Sequence, residues 1–229
     1  MIRTYVGLII VLALAAVVIS AVPGFSVPSE LPYIGQNYAE QGVHDTGSIN
    51  LVTAVVVAYR GLDTLGEVVV LFSASTAIVL ILTLIPIGAH PTPPSSIVSF
   101  TAGVLPGAIV LFGIYIITHG HLSPGGGFPG GAVVASAFLL VMLGSNTIPG
   151  QSKMLASIES LAGLTFGLLG FWGMMTLGQF LNNLVLPAGS PGKVLSAGII
   201  PLISLAIGAK VASELSGVFA SYRKSGGAE

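Results

Sequence analysis

Three charged residues in the sequence RGLDTLGE have the types and the spacing that ion chemistry requires. Arg60, Asp63 and Glu67 lie three and four residues apart, so on a continuous helix they share one face. Two carboxylates beside a guanidinium, at the start of an apolar segment, can exchange a proton or bind Na+ transiently, and we expect no stable metal site. Alternatively, Thr64 and Glu67 form a capping box at a helix start. The sequence leaves both interpretations open.

A second polar cluster, THGHLSPGGGFPGG, follows an apolar segment at residues 118–131. Thr118, His119 and His121 stand together, and imidazole titrates near neutral pH. Five glycines within residues 125–131 allow close backbone approach to a ligand or a helix. The functional interpretation is a polar loop that lines an ion or proton route, and the alternative is an ordinary interfacial turn. A dinucleotide-binding loop is excluded because no strand precedes the glycines.

The last apolar segment carries a third charged pair. Lys210 and Glu214 lie four residues apart near the predicted inner end of that segment. A long lysine side chain at such a position can extend to the membrane interface, which is the interpretation that we favour. A proton-relay role is the alternative.

Small residues spaced three or four apart predict close helix packing. The glycines that follow this spacing are Gly103, Gly107, Gly163, Gly167 and Gly170. We expect these glycines to pack helices together rather than to take part in function.

The amino-acid composition indicates the environment in which these clusters lie. Only 15 of 229 residues are charged, 53% are hydrophobic and the mean hydropathy is +0.98, whereas soluble domains carry about 25% charged residues. Most of the chain is therefore surrounded by lipid or by other apolar helices. A net charge of -1 with no basic stripe argues against a nucleic-acid partner. The absence of cysteine excludes thiol chemistry, and with no catalytic motif we predict no cofactor and no enzymatic activity of its own.

The apolar segments predict an all-α, polytopic membrane helix bundle. Residues 48–59 form an apolar run of about 18 Å as a helix, which is too short to cross a bilayer, so we predict a short interfacial or half-inserted helix. Residues 23–46 are predicted as a polar loop outside the membrane. Six transmembrane helices are predicted at residues 4–22, 64–85, 97–118, 130–148, 157–177 and about 194–216.

The distribution of basic residues predicts the orientation in the cell membrane. With six crossings, Arg3, Lys153 and the Arg223–Lys224 pair fall on one side, which the positive-inside rule assigns to the cytoplasm, together with both termini. Arg60 and Lys193 fall on the other side and weaken the bias. The proline-rich linker 86–96 divides the chain into a two-span segment, residues 1–90, and a four-span domain, residues 91–229.

The two polar clusters also carry a resemblance to a known family. The sequence VVVAYRGLDTLGEVVVLFSASTAIV at residues 55–79 resembles the C-terminal end of the large subunit of Mrp-type multisubunit Na+/H+ antiporters. It equally resembles the small separate subunit that replaces this end in archaeal membrane-bound hydrogenases. The sequence YIITHGHLSPGGGFPGGAVVA at residues 115–135 is similar to the signature of the Mrp B subunit and its hydrogenase counterpart.

This resemblance implies an accessory subunit in an ion-translocating module related to the proton-pumping arm of respiratory complex I. It implies that Asp63 and Glu67 belong to the acidic motif, and that His119, His121 and the neighbouring glycines belong to the loop motif. Both pieces are fused here without a large antiporter domain, an arrangement more similar to membrane-bound hydrogenase or sulfur-reductase complexes than to a free-standing Mrp antiporter. The implied partners are other Mrp-type subunits, a hydrogenase-like peripheral arm and membrane lipid.

Two functions follow as hypotheses. In the first, the spans line a Na+ or H+ route together with partner subunits. In the second, they hold neighbouring subunits in register, and the polar clusters only cap and pack the helices.

Overall fold

A computed structural model of the chain describes residues 2–21, 32–84, 93–145 and 153–225. Within these ranges the protein is all-α and contains no strand, which confirms the predicted fold class. The α-helices are α1 (Ile2–Ala21), α2 (Tyr33–Thr46), α3 (Leu51–Thr53), α4 (Gly61–Leu84), α5 (Ser96–Thr118), α6 (Gly127–Gly144), α7 (Lys153–Leu177) and α8 (Ile200–Ser225). A π-helix, Ala54–Tyr59, joins α3 to α4, and a 3-10 turn, Asn183–Val185, lies between α7 and α8.

Five helices are long and apolar enough to cross a membrane, namely α4, α5, α6, α7 and α8. The protein is therefore a multi-pass membrane protein. The described apolar part of α1, Tyr5–Ser20, is shorter than a full span, so the sixth crossing stays a prediction. The predicted short helix is confirmed as α3 and the π-helix, which together are too short to cross a bilayer.

Two predictions about where helices lie are wrong. Residues 33–46 were predicted within a polar loop but form helix α2. The last helix begins at Ile200 rather than near residue 194, because the preceding residues fold into turns. In these turns Ala197 has φ +65° and its N–H donates to the carbonyl of Ala188 at 2.7 Å, while the N–H of Ile199 donates to the carbonyl of Asn183 at 3.2 Å.

The chain divides into two compact units, residues 1–37 and 38–229. The larger unit is organised around α8, which packs against α4, α5, α6 and α7. Its apolar face buries Ile200, Ile203, Ile207 and Val211 in a cluster with Phe166 of α7. The surrounding helices expose many large apolar side chains on their other faces, as expected for helices surrounded by lipid or partner helices.

Glycines set how closely α6 approaches α8. A Cβ atom added at Gly127 would lie 2.6 Å from the Ser204 carbonyl oxygen, and one at Gly131 would lie 2.7 Å from the Gly208 carbonyl oxygen. No side chain fits at either position without moving α8. These positions belong to the glycine-rich loop motif, so packing explains glycines that the sequence left open to a ligand-binding interpretation.

Most of the glycines that were predicted to pack make no close contact within the described chain. A Cβ at Gly103, Gly107 or Gly167 would meet nothing within 4 Å among the described residues. Gly163 would make only an ordinary contact with the Lys210 side chain, whereas Gly170 does pack, against the ring of Phe180. The spacing of the glycines shows that one face of a helix carries small residues, but it does not show that this face contacts another helix of the same chain.

Candidate functional site

The acidic cluster at the start of α4 lies on the surface of the described chain. The Nε atom of Arg60 donates to Oδ2 of Asp63 at 2.6 Å, and both side chains are more than half exposed. An exposed pair of this kind contributes about 0–1 kcal/mol. Glu67 lies one turn further along α4 and is also exposed. The three side chains therefore do not form a closed ion site within this chain, and their role in ion movement stays a prediction.

The capping-box interpretation of Thr64 and Glu67 is wrong. Helix α4 begins at Gly61, three residues before Thr64, so Thr64 is inside the helix rather than at its cap. Its side chain is fully buried, and its hydroxyl donates to the carbonyl oxygen of Val56 at 2.6 Å. Thr64 thus fastens the π-helix to α4.

A second polar contact lies beside this junction. The Tyr59 hydroxyl donates to Oδ2 of Asp45 at 2.7 Å. Burial and this hydrogen bond raise the pKa of Tyr59 to about 12, and the same bond lowers the pKa of Asp45. The contact ties the end of α2 to the π-helix.

The His–Gly loop is a compact turn that joins α5 to α6. His119 stacks on the ring of Tyr115, with 4.2 Å between ring centroids. Its Nδ1 lies 3.0 Å from the carbonyl oxygen of Tyr115 and 3.1 Å from Oγ1 of Thr118. The Thr118 hydroxyl in turn donates to the carbonyl of Ile114 at 2.9 Å. Thr118 and His119 are therefore folded back onto the end of α5, as the interfacial-turn interpretation expects.

His121 is the buried member of the loop, with 1% of its surface exposed. Its Nε2 lies 3.2 Å from the carbonyl oxygen of Lys193, which can only accept, so Nε2 carries the proton. Its Nδ1 is buried without a hydrogen-bond partner among the described residues. Burial lowers the pKa of His121. The ring therefore stays neutral at neutral pH.

Asn50 fastens this loop to the start of α3. Its Nδ2 donates to the carbonyl oxygens of Gly120 and Ser123, each at 2.8 Å. Its Oδ1 accepts the N–H of Val52 at 3.1 Å, which caps α3. The Thr53 hydroxyl adds a bond to the Gly120 carbonyl at 2.6 Å. Sequence reasoning missed Asn50, although Asn before a short apolar helix is a common cap signal.

Lys210 and Glu214 occupy the interior of the bundle, so the interpretation of Lys210 as a residue that extends to the interface is wrong. In α8 they lie about 15 and 21 Å from the first residue, on either side of the midpoint of a helix about 39 Å long. Only 8% of Lys210 and 3% of Glu214 is exposed. A charge at such depth costs at least about 2.5–3.5 kcal/mol unless it is paired.

Lys210 and Glu214 form an ion pair within α8, and residues of α4 and α7 contact this pair. The Nζ atom of Lys210 lies 3.2 Å from Oε2 of Glu214 and 3.7 Å from Oε1 of Glu159 in α7. The Ser75 hydroxyl in α4 donates to Oε1 of Glu214 at 2.5 Å, and the ammonium group lies 5.0 Å from the ring centroid of Phe72. At an effective dielectric of about 20, each Lys–Glu attraction is about 5 kcal/mol before desolvation. We call Ser75, Glu159, Lys210 and Glu214 the buried charged network.

The network borders a cavity of about 190 Å³ that is partly open at the surface of the described chain and has room for several water molecules. Two carboxylates and one ammonium group leave one excess negative charge when all three are ionised. The cavity therefore adjoins carboxylate and hydroxyl groups that lie between α4, α7 and α8. Its lining residues are Ser75, Thr76, Val79, Glu159, Glu214, Gly217 and Val218.

Sequence reasoning missed Glu159 and Ser75. Glu159 is a single acid about two turns into an otherwise apolar helix, and the argument applied to Glu67 also applied to it. Ser75 gave no signal, because a serine inside an apolar helix usually bonds to its own backbone. Only the packing of α4 and α7 against α8 identifies Ser75 as a partner of Glu214.

These features define a multi-pass membrane protein with a charged network buried in its helix bundle. A family profile described as a domain related to the MnhB subunit of Na+/H+ antiporter matches residues 97–217, more than half of the chain. The chain belongs to this family. It is also 34% identical, over 73% of its length and 74% of the relative's, to an uncharacterized protein of Methanocaldococcus jannaschii.

Two solved structures have a similar fold. One is a chain of the membrane-bound sulfane sulfur reductase, described as an archaeal respiratory membrane complex, with a TM-score of 0.79, 36% identity and coverage of 96% of this chain and 98% of that chain. The other is a chain of the Mrp complex from Dietzia sp., with a TM-score of 0.76 and 25% identity. In that case 98% of this chain covers only 26% of the longer one.

Proposed function

We propose that the chain is a membrane subunit of a multisubunit Na+/H+ antiporter module and that it forms part of the ion route. The observation that carries this proposal is the buried charged network, since charges in a span are expensive and usually mark a route or relay. The network joins α4, α7 and α8 and adjoins a cavity. The chain itself supplies no catalytic chemistry in this proposal.

The assembly that we propose is a membrane-bound respiratory complex. The similarity to one chain of the sulfane sulfur reductase extends over nearly all of both chains, which supports an equivalent position in a related complex. Its partners would be other Mrp-type antiporter subunits and a peripheral arm, and both termini would face the cytoplasm. The alternative is a free-standing Mrp antiporter, in which this chain would correspond to part of a larger subunit and to a B subunit.

Copurification tests this assembly. A tag on the full chain and extraction in mild detergent should recover antiporter subunits together with redox subunits. Recovery of antiporter subunits alone, from cells that express the redox proteins, would favour the free-standing antiporter.

Transport measurements test the role in the route. The tagged complex is reconstituted in liposomes, and Na+-driven proton movement is followed with a pH-sensitive dye. We expect Glu214→Gln to lower the rate per assembled complex at least tenfold. Ser73→Ala is the matched control, because Ser73 is an exposed residue of α4 that bonds only to its own helix, at the Val69 carbonyl.

A structural role is the second candidate function, and the hydrogen bonds of Asn50 favour it. Asn50 uses its amide to hold the His–Gly loop, so that part of the polar sequence is committed to packing. A purely structural subunit predicts that Glu214→Gln lowers the yield of complex while transport per complex stays unchanged.

A further inference from the structure

The buried charged network has the composition of a site for a monovalent cation. Its ligating atoms are carboxylate and hydroxyl oxygens, which hard cations prefer. It has two carboxylates, and no group of three or more His, Asp or Glu in the described residues is arranged to hold a metal ion. When Glu159, Glu214 and Lys210 are all ionised, the excess charge is one negative unit. A single monovalent cation neutralises this charge, whereas a divalent cation would exceed it.

The Lys210 ammonium group already acts as a bound cation. It lies within 4 Å of oxygen atoms of both Glu159 and Glu214 and faces the ring of Phe72. The two carboxylates are therefore close enough to share one positive charge. Lys210 is not among the residues that line the cavity, whereas both glutamates are. A second cation entering the cavity thus reaches both carboxylates from a side that Lys210 does not line, but it competes with the Lys210 ammonium group for the charge of their oxygens.

Glu214 provides an independent indication of a ligand. Only 3% of its surface is exposed. Ser75 satisfies its Oε1 atom, but no hydrogen bond in the described chain reaches Oε2, which has only the ion-pair contact with Lys210. A buried carboxylate oxygen usually accepts at least one hydrogen bond, and Oε2 accepts none from the described residues. The cavity beside it has room for a further partner in addition to Lys210.

The charged groups that face the site are few. Glu159 comes from α7, and Lys210 and Glu214 come from α8. From α4 the site meets the Ser75 hydroxyl, the lining residue Thr76 and the ring of Phe72. No basic residue other than Lys210 lines or contacts the network among the described residues. The charge balance therefore depends on these three ionisable groups.

We propose that Glu159, Glu214 and the Ser75 hydroxyl bind one Na+ ion at the cavity, with the Lys210 ammonium group as a tethered competitor for the same carboxylates. This inference extends the proposed transport function to a specific site, and it rests on that function for its physiological meaning. Removing Lys210 should strengthen binding of Na+, and removing either carboxylate should weaken it.

Binding to the purified full chain tests the site directly. Binding of radioactive Na+ is measured in choline chloride at constant ionic strength. We expect saturable binding of one Na+ per chain, weakened at least tenfold by Glu159→Gln and by Glu214→Gln and less by Ser75→Ala. Ser73→Ala in the same helix is the hydroxyl control, and Glu40→Gln in α2 is the carboxylate control. If Glu214→Gln fails to fold, Na+ binding by Glu159→Gln decides whether the site exists, because Glu159 is more exposed.

A Lys210→Met variant separates a cation site from a structural ion pair. Without the ammonium group, Na+ should bind about tenfold more tightly, and replacing choline by Na+ should raise the Tm of this variant more than that of the wild type. A structural ion pair predicts a lower Tm that Na+ does not restore. Equal Na+ and choline effects in both proteins would overturn the tethered-competitor proposal.

The outcomes distinguish this inference from the proposed function. Lack of saturable Na+ binding, or binding that both glutamine variants retain, overturns the Na+ site. If Glu214→Gln nevertheless slows transport, the chain still belongs to the route, and the network then handles protons. If the variants lose Na+ binding while transport per complex is unchanged, the site is real and the proposed transport role is wrong.

Discussion

The side-chain amide of Asn50 donates a 2.8 Å hydrogen bond to the carbonyl oxygen of Gly120, 70 residues further along the chain. Through this bond the start of α3 holds the turn between α5 and α6. The sequence motif with two histidines and five glycines is therefore positioned by a residue outside it. His121 becomes buried in the same arrangement, because Ser48, two residues before Asn50, donates to its carbonyl at 3.0 Å.

Replacing Asn50 should release this turn. Asn50→Ala removes the cap of α3, worth about 1 kcal/mol, and leaves the Gly120 and Ser123 carbonyls with fewer donors, at about 1–3 kcal/mol. We expect the free energy of unfolding to fall by about 2–4 kcal/mol, measured as a lower Tm of the detergent-solubilised chain. Asn182→Ala is the control, since Asn182 caps the local 3-10 turn and its amide otherwise donates, among the described residues, only to the nearby Gln179 side chain. Equal losses in the two variants would contradict the role assigned to Asn50.

His121 should make stability depend on pH. Because burial lowers its pKa in the folded state below the usual value of about 6.5, the unfolded chain binds more protons as the pH falls below that value. Stability is therefore fully present above about pH 6.5 and declines as the pH falls toward the folded-state pKa. His121→Asn should flatten a plot of Tm between pH 5 and 7, as these values imply. His44→Asn should not, because His44 is exposed.

The sequence predicted the membrane helices but not which helices touch. Long apolar runs identify α4 to α7 within a few residues, because length and hydropathy are local properties. The partners of Lys210 outside α8 are Phe72 in α4 and Glu159 in α7, 138 and 51 residues away. A nearly uniform apolar helix gives no periodic signal for its buried face. The same lack of a face signal explains why Gly107 was predicted to pack, and why the sequence left Gly131 open between contact with a ligand and contact with a helix.

Two glycine substitutions test this difference. Gly131→Ala places a Cβ 2.7 Å from the Gly208 carbonyl and 2.8 Å from Cβ of Val211, so α6 and α8 must separate, at about 1–3 kcal/mol. Gly107→Ala meets nothing within 4 Å and should leave the Tm of the isolated chain unchanged or slightly higher. A comparable loss of Tm in Gly107→Ala would show that α5 packs on that face.

The energetic coupling between Lys210 and Glu214 is best measured by a double-mutant cycle in choline chloride. Lys210→Met alone leaves Glu214 as a buried carboxylate without its nearest cation, and breaking a buried pair in this way costs about 3–5 kcal/mol. Adding Glu214→Gln removes the stranded charge, while the glutamine carbonyl oxygen still accepts from Ser75. The double variant should therefore regain most of the Tm lost by Lys210→Met. Additive losses would mean that the two charges are not coupled in the folded protein. A recovered Tm together with lost Na+ binding would separate the stability of the network from its chemistry, because the neutral pair packs equally well but offers no charge to a cation.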